Sequence, residues 1–126
     1  MNCLFIILGG SGDLAKKKLI PAIYRLALKK KISNYAVIST SRRSKIKNLL
    51  EEYSKYVKEP DKKVWSDLSG RIYHFNIDFD KKEGFKDLDK FIKKIEKKHK
   101  ISGNRLFYLA TLPEHFKTIA ENLKKY

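Results

Sequence analysis

The stretch CLFIILGGSGDLA, residues 3–15, decides the fold of this chain. Its first part, Cys3 to Leu8, is a continuous apolar run, as a strand requires when both of its faces are buried in a parallel sheet. The segment Gly9-Gly10-Ser11-Gly12 then breaks the run, and a helical pattern begins at Asp13. A buried strand, a glycine loop and a helix in this order are typical of the first crossover of an α/β domain.

Strand-like and helix-like segments alternate along the rest of the chain. Cys3–Leu8 and Leu106–Ala110 are predicted to be buried strands, Tyr35–Ser39 is predicted to be a short strand, and Arg71–Ile77 alternates as a strand does. The predicted helices are Asp13–Lys30, Ser44–Val57, Gly84–His99 and a last one after Pro113. Pro21 should kink the first helix or begin a second helical piece. Residues 61–70 are expected to form a connector with a helical turn around Trp65.

This βαβαβαβα order predicts an α/β fold, a Rossmann-like doubly wound parallel sheet with right-handed crossovers. The predicted sheet is truncated, because about four strands make up only half of a dinucleotide-binding sheet of this kind. We therefore expect one strand to lie at an exposed edge. The whole chain, residues 1–126, is expected to be a single dinucleotide-binding domain.

Composition narrows the class of protein. The chain has 126 residues, 42% hydrophobic and 12% aromatic, which is enough for one domain with a true core. The single cysteine, Cys3, excludes a disulfide framework within the chain and a cysteine-based zinc site, and no metal site is predicted. The longest apolar runs are too short to span a membrane or to act as a signal segment. We therefore expect a cytoplasmic domain with no membrane partner.

The net charge of +15 has two interpretations. Such a surface suits nucleic acid or phosphorylated small molecules. Alternatively, the lysines lie on solvated faces, and their distribution in short clusters along the whole chain favours this second interpretation. Because aromatic residues are not grouped with the basic clusters, nucleic-acid binding is the less favoured function.

The glycine loop is the first candidate site. Gly9 allows a tight turn out of the strand, Gly12 lets the backbone approach a pyrophosphate, and Ala15 keeps the helix close to the strand. The helix N-terminus adds free N–H groups and the positive end of a dipole. The spacing G-x-x-G-x-x-A is not the commonest one. The alternative is a glycine turn without a ligand, but the strand–loop–helix context favours nucleotide binding.

The end of the second strand indicates which nucleotide. NAD-binding sheets usually place a carboxylate there for the ribose 2′-hydroxyl, and NADP-binding sheets place arginine near the 2′-phosphate. Here the sequence is STSRRS, residues 39–44, without a carboxylate. Arg42 and Arg43 can make forked, charge-assisted bonds to a phosphate, and Thr40 and Ser41 can add hydroxyl bonds. The alternative is that both arginines are ordinary basic residues before a helix.

Residues 9–24, GGSGDLAKKKLIPAIY, resemble the N-terminal signature of glucose-6-phosphate dehydrogenases, G-A-S/T-G-D-L-A-K-x-K-L-x-P-x-x-Y. Gly10 stands where that family more usually has alanine. The segment Thr40 to Arg43 is similar to the end of strand two in the family. Residues 104–113, NRLFYLATLP, are similar to its N-R-L-F-Y-L-A-x-P-P stretch. Between Leu49 and Gly103 the match is only one of pattern.

The resemblance implies a coenzyme domain for NADP. By motif position, the residues that wrap the pyrophosphate are Gly9, Gly10, Ser11, Gly12, Asp13, Leu14, Ala15 and Lys16. Arg42 and Arg43 would hold the 2′-phosphate, and Ala110 would approach the nicotinamide. Lys18 matches a family lysine between coenzyme and sugar phosphate, which makes it the candidate contact to substrate. The alternative for Lys18 is one more solvated lysine.

The departures from the family limit the predicted activity. The signature R-I-D-H-Y-L-G-K-E around the catalytic histidine is missing, and His74, His99 and His115 have no carboxylate partner by spacing. No catalytic residue is therefore assigned. We expect the chain to bind NADP and to act on glucose 6-phosphate only if a catalytic domain is supplied, by a separate C-terminal-domain chain or within a homo-oligomer. The alternatives are a non-catalytic or regulatory NADP-binding module and a degenerate fragment without function.

Overall fold

The computed structural model describes residues 2–9, 14–41, 46–58, 60–78, 82–101, 104–109 and 121. Their elements, in chain order, are β1 (Asn2–Leu8), a π-helical turn (Ala15–Leu19), α1 (Ile20–Leu28), β2 (Asn34–Ser41), α2 (Ile46–Ser54), α3 (Lys62–Gly70), β3 (Ile72–Asn76), α4 (Lys82–His99) and β4 (Arg105–Leu109). The helix predicted after Pro113 lies outside the described residues.

The strands form one parallel sheet in the order β3-β2-β1-β4. β1 lies at its centre, where Phe5 is in register with Val37 of β2 and with Leu106 of β4. The chain therefore builds outward from β1 through β2 to β3, and then returns to the other side of β1. This reversal is the mark of a doubly wound sheet, and it confirms the predicted fold class.

The core consists of two apolar layers, one on each face of the sheet. Alternate residues of β1 enter each layer, since successive side chains of a strand point to opposite faces. Cys3, Phe5 and Ile7 pack toward α1, α2 and α3, and Leu4, Ile6 and Leu8 pack toward α4. Each of these six side chains is at most 1% exposed, so the prediction that β1 is buried on both faces is confirmed.

The first helix has a widened turn before Pro21. Proline has no N–H to donate, and its ring collides with the carbonyl four residues earlier in a regular α-helix. The chain meets both difficulties with a π-helical turn, in which the Ile20 N–H bonds the Ala15 carbonyl, followed by regular α-helix from Ile20. The prediction that Pro21 divides the helix is thereby confirmed.

The connector predicted over residues 61–70 is instead a full helix, α3. The Asp61 carboxylate caps it, accepting the N–H groups of Lys63 and Val64 at 2.9 and 3.1 Å. Leu68 is fully buried, and the partly buried Val64 and Trp65 pack against the same core layer. The prediction was wrong because a helix of nine residues is too short to show a clear apolar periodicity. The aspartate before it, a residue type favoured at helix N-caps, was the available sequence signal.

The fourth strand was predicted to be buried, and this is wrong in the structure. Leu106, Phe107 and Leu109 are each more than a third exposed. Among the described strands, β4 lies at one edge of the sheet, beside β1. Among the residues that the structure describes, no helix combines the length and the apolar character needed to cross a bilayer.

Candidate functional site

The candidate site is at the carboxyl edge of the sheet. Because all the described strands are parallel, β1 and β4 end there side by side, with Leu8 in register with Leu109. β2 and β3 continue the same edge on the far side of β1. In sheets of this topology, ligands bind in the crevice outside the carboxyl ends of the strands, where the strand order reverses. Here that crevice lies between β1 and β4.

Gly9 makes the turn out of β1. Its φ of 100° lies in the left-handed region that side chains disfavour, so glycine is required there. Its N–H donates to the Thr40 carbonyl at 3.1 Å, which holds the turn against the end of β2. The next predicted loop residues, Gly10, Ser11, Gly12 and Asp13, lie outside the described part of the chain. The structure therefore gives the anchored start of the loop.

The helix after the loop is held tightly to β1. Helical backbone is present at Leu14, whose side chain is 48% exposed, and Ala15 is fully buried in the core layer that contains Phe5 and Ile7. A larger side chain at position 15 would push the helix away from the strand. This close packing keeps the start of the helix beside the point where β1 ends.

Lys16 contacts a carboxylate. Its Nζ lies 3.7 Å from Glu52 Oε2 on α2. The pKa of Glu52 is lowered, first by the hydrogen bond and charge of Lys55 and then by Lys16. Glu52 therefore stays ionised at neutral pH and offsets part of the Lys16 charge. In contrast, Lys18 is exposed, and no hydrogen bond or ion pair joins it to another described residue.

Thr40 does not have the role that its sequence suggested. Its side chain is fully buried, and its hydroxyl donates to the Ile7 carbonyl at 3.0 Å. It therefore ties β2 to β1 and cannot reach a phosphate outside the sheet. Ser41, the last residue of β2, is 4% exposed, and its hydroxyl lies 3.3 Å from His74 Nε2. Arg42 and Arg43 follow directly and lie outside the described residues.

Two buried polar side chains near the carboxyl end of β2 were not predicted from the sequence. Ser39 and Tyr53 are fully buried, and their hydroxyl oxygens are 2.8 Å apart. Burial raises the pKa of Tyr53, partly offset by this bond, so the phenol stays protonated. The pair fixes α2 against β2 directly before the residues predicted to hold the 2′-phosphate. A buried hydroxyl requires a hydrogen-bond partner, so the serine inside a buried apolar run was the sequence signal for this contact.

His74 lies in the middle of β3, in register with Ser39 of β2. Its Nε2 is 2.7 Å from Asn76 Oδ1 and 3.3 Å from Ser41 Oγ. Its Nδ1 is buried and has no hydrogen-bond partner in the described part of the chain. His99, at the end of α4, has its Nε2 2.7 Å from the Tyr73 hydroxyl. Neither described histidine has a carboxylate partner, and His115 lies outside the described residues.

The described residues fit a dinucleotide better than a metal ion. Within the described ranges, no group of histidine, cysteine and acidic side chains is arranged to hold a metal. The left-handed turn at Gly9 and the helix packed close through Ala15 form the strand–turn–helix frame that receives a pyrophosphate in sheets of this topology. Ala110, predicted at the nicotinamide end, lies outside the described residues, directly after β4.

Comparison with known proteins finds relatives over nearly the whole chain. The family model described as "Glucose-6-phosphate dehydrogenase, NAD binding domain" matches residues 6–126. The chain is 33% identical to a glucose-6-phosphate 1-dehydrogenase of Chlamydia muridarum, over 98% of this chain and 26% of that protein. It is 36% identical to one of Borreliella burgdorferi, over 99% and 25% respectively.

A solved structure agrees with these relatives. It is described as glucose-6-phosphate dehydrogenase in complex with its substrate glucose-6-phosphate, and it superimposes with a TM-score of 0.87 at 28% identity. The alignment covers 98% of this chain and 27% of that one. The chain thus spans about a quarter of the length of the curated relatives that it matches.

Proposed function

The chain belongs to the glucose-6-phosphate dehydrogenase family, as its N-terminal coenzyme-binding domain, and from this premise we propose that it binds NADP in the crevice between β1 and β4. The observation that carries the proposal is the left-handed turn at Gly9, anchored to β2 and followed by a helix packed closely on β1. We further propose that residues 1–126 act as one domain in the cytoplasm.

Each predicted residue has a task in this proposal. The loop and the start of the helix would surround the pyrophosphate, where backbone N–H groups and the helix N-terminus favour negative charge. The residues concerned are Gly9, Gly10, Ser11, Gly12, Asp13, Leu14, Ala15 and Lys16. Ala110 would border the nicotinamide. The bound nicotinamide supplies hydride-accepting chemistry, and the chain supplies the binding and the orientation.

Selectivity for NADP over NAD would come from the end of β2. The strand ends on Ser39, Thr40 and Ser41, with no carboxylate to receive a ribose 2′-hydroxyl. Arg42 and Arg43 would instead hold the 2′-phosphate with forked, charge-assisted bonds. The buried Ser39–Tyr53 pair and the Thr40–Ile7 bond hold the end of β2 in place. The two arginines would therefore follow a rigid strand end.

We propose that the protein to which this domain contributes catalyses the reaction of the family. It is the oxidation of glucose 6-phosphate to 6-phosphogluconolactone, the entry of the pentose phosphate pathway. Lys18, which is exposed and lies two residues after Lys16 in the same π-helical turn, would contact the phosphate of the substrate. A catalytic domain, on a separate chain or in an oligomer, would supply the general base, because no described histidine has the partner that such a base needs.

Calorimetric titration with NADP and NAD tests the proposal. We expect NADP to bind and NAD to bind much more weakly. The double substitution Arg42→Gln/Arg43→Gln should reduce NADP affinity by about tenfold or more and change NAD affinity little, because a charge-assisted pair of bonds is lost only for the 2′-phosphate. Lys94→Gln/Lys97→Gln on α4, with the same change in net charge, is the matched control.

Two outcomes would overturn the proposal. A folded chain that binds neither dinucleotide has no working coenzyme site. Equal losses in the arginine variant and in the α4 control would show that NADP responds to net charge and not to the end of β2.

A further inference from the structure

A second concave site lies beside α1. It is a cavity of about 450 Å³ between α1 and residues 56–58, which follow α2. A volume of this size is within the range of small-ligand pockets. The coenzyme crevice proposed above lies at the ends of β1, β2 and β4, and none of the residues assigned to it lines this cavity.

The wall of this α1 cavity is apolar and firmly held. Pro21, Tyr24 and Val57 line it, and all three belong to the buried part of the molecule. The Tyr24 hydroxyl accepts the Asp61 N–H at 2.6 Å, which fixes the ring. The cavity therefore has a preformed body and does not depend on flexible surface side chains alone.

Its rim carries positive charge and an aromatic ring. Arg25 of α1 and Lys58 of the segment after α2 are exposed cations that line it, and Lys17 lines it as well. The Tyr56 ring is 39% exposed at the same rim. A guanidinium can grip a phosphate with two parallel bonds, and a tyrosine face can stack on a planar ring.

No carboxylate is among the described residues that line the α1 cavity. The described acids nearest in sequence are engaged elsewhere. Glu52 pairs with Lys55 and Lys16, and the Asp61 carboxylate caps α3. The described lining of the cavity therefore carries positive and no negative side chains.

We propose that the α1 cavity binds a small phosphomonoester that carries a planar ring. Arg25 and Lys58 hold the phosphate, the ring lies against Tyr56, and the apolar wall at Pro21 and Val57 receives its edge. The site is separate from the coenzyme crevice, and its occupation does not require that NADP be bound. This assignment stands independently of the proposed function.

The protein contains its own reporter for the cavity. Trp65 is the only tryptophan of the chain, and its ring centroid lies 6.2 Å from that of Tyr24, edge to face. A ligand that moves Tyr24 or changes its surroundings should alter the tryptophan emission. Selective excitation of Trp65 during a titration with phenyl phosphate therefore measures occupancy of the α1 cavity.

The expected result is saturable binding of phenyl phosphate, about tenfold tighter than that of inorganic phosphate or of phenol. Glycerol phosphate, which has no ring, should bind like inorganic phosphate. Saturating NADP should leave the affinity unchanged, since the two sites share no residue. Competition by NADP would place the ligand in the coenzyme crevice and overturn the proposal.

Matched variants separate the site from general charge. Arg25→Gln/Lys58→Gln should weaken phenyl phosphate about tenfold or more, whereas Lys94→Gln/Lys97→Gln on α4 should not. Tyr56→Leu should remove the preference for phenyl phosphate over inorganic phosphate. Equal weakening in both double variants, or no saturation in the unaltered protein, sinks the proposal. Circular dichroism verifies the fold of each variant, and NADP titration of the same samples reports separately on the coenzyme site.

Discussion

β2 and β4 flank the same central strand, yet their surroundings differ. Seven of the eight residues of β2 are buried. In β4 no residue is fully buried, although its sequence, RLFYL, is as apolar as that of β2. β2 has another strand beyond it, with α1 to α3 on one face and α4 on the other. β4 is an edge strand with exposed leucines.

The comparison shows that an apolar run predicts a strand but does not predict how deeply that strand is buried. Burial is set by the layers outside the strand, which are made by residues far away in sequence. β2 gains its stability from side chains packed on both faces. β4 depends more on its backbone pairing with β1 and on polar contacts at its ends, such as the Asn104 amide bonded to the Asn2 carbonyl at 2.7 Å.

The largest expected effect is truncation of the buried strand. Ile38→Ala in β2 removes a side chain that is fully buried, and it should lower the free energy of unfolding by about 3 kcal/mol. Leu106→Ala in β4 removes a side chain of the same size that is 38% exposed, and it should cost about 1 kcal/mol. Urea unfolding of both variants gives the two values. Equal losses would break the contrast between the strands.

The second effect concerns the ion pair that holds β4. Arg105 donates two bonds to Glu96 of α4, at 2.9 and 2.7 Å, and Glu96 is only 9% exposed. Arg105→Leu leaves that carboxylate nearly buried without its partner, which should cost about 2 kcal/mol. Adding Glu96→Leu should restore part of the loss. If Arg105→Leu is neutral in urea unfolding, β4 is held by its backbone alone.

The third effect tests the buried polar contact of β2. Tyr53→Phe leaves the Ser39 hydroxyl, which is fully buried, without its bond. We expect a loss of about 1 kcal/mol in thermal or urea unfolding. The further substitution Ser39→Ala removes the unsatisfied group and should recover most of that loss. A double variant as unstable as the single one would contradict this account.

The smallest effect is a pH dependence on the β2–β3 side of the sheet. Burial, reinforced by the charges of Arg71 and Lys98, lowers the pKa of His99 below its ordinary value. The unfolded chain therefore binds this proton more readily, so the stabilising contribution is complete above about pH 6.5 and is lost as the pH falls through the lower, folded-state pKa.

Hydrogen exchange at pH 7.5 and at pH 5.5 measures this effect. Because the intrinsic rate of amide exchange falls as the pH falls, the two samples are compared by their protection factors. In the acid sample these factors should be lower at β3 and at the start of β2, where Tyr73 and Asn34 bond the ring and the carbonyl of His99. β4 should change little. In His99→Gln the difference between the two pH values should shrink. An unchanged difference in that variant would assign the pH dependence to other groups.

Much of the fold could be predicted from the sequence, because it depends on local signals. The continuous apolar run in β1, the glycines after it and the alternation of elements are all visible in the residues, and together they predict a doubly wound sheet. Pro21 likewise predicted that the first helix is divided. The exposure of β4 and the extent of α3 depend on which distant segments pack against them, and no short pattern records that.

The candidate site was predictable to a similar extent. Gly9 and Ala15 could be placed by chemistry, since a left-handed turn and a close helix contact demand small residues. Thr40 was misjudged because a hydroxyl serves a buried carbonyl as well as a phosphate, and the register of β2 with β1 decides which. Gly10, Ser11, Gly12, Asp13, Arg42, Arg43 and Ala110 remain predictions, as does the role of Lys18.

The central position of β1 has a consequence for how the chain folds during synthesis. β1 is made before the other described strands, and its partner β4 arrives late, since the Asn104 amide reaches the Asn2 carbonyl across 102 residues. At ribosomal speeds of roughly 5–20 residues per second, one edge of β1 stays unpaired for about 5–20 seconds. That edge carries LFIIL, residues 4–8, an uncharged β-forming segment. We therefore expect capture by chaperones and the rate of translation, more than final stability, to set the yield of folded chain.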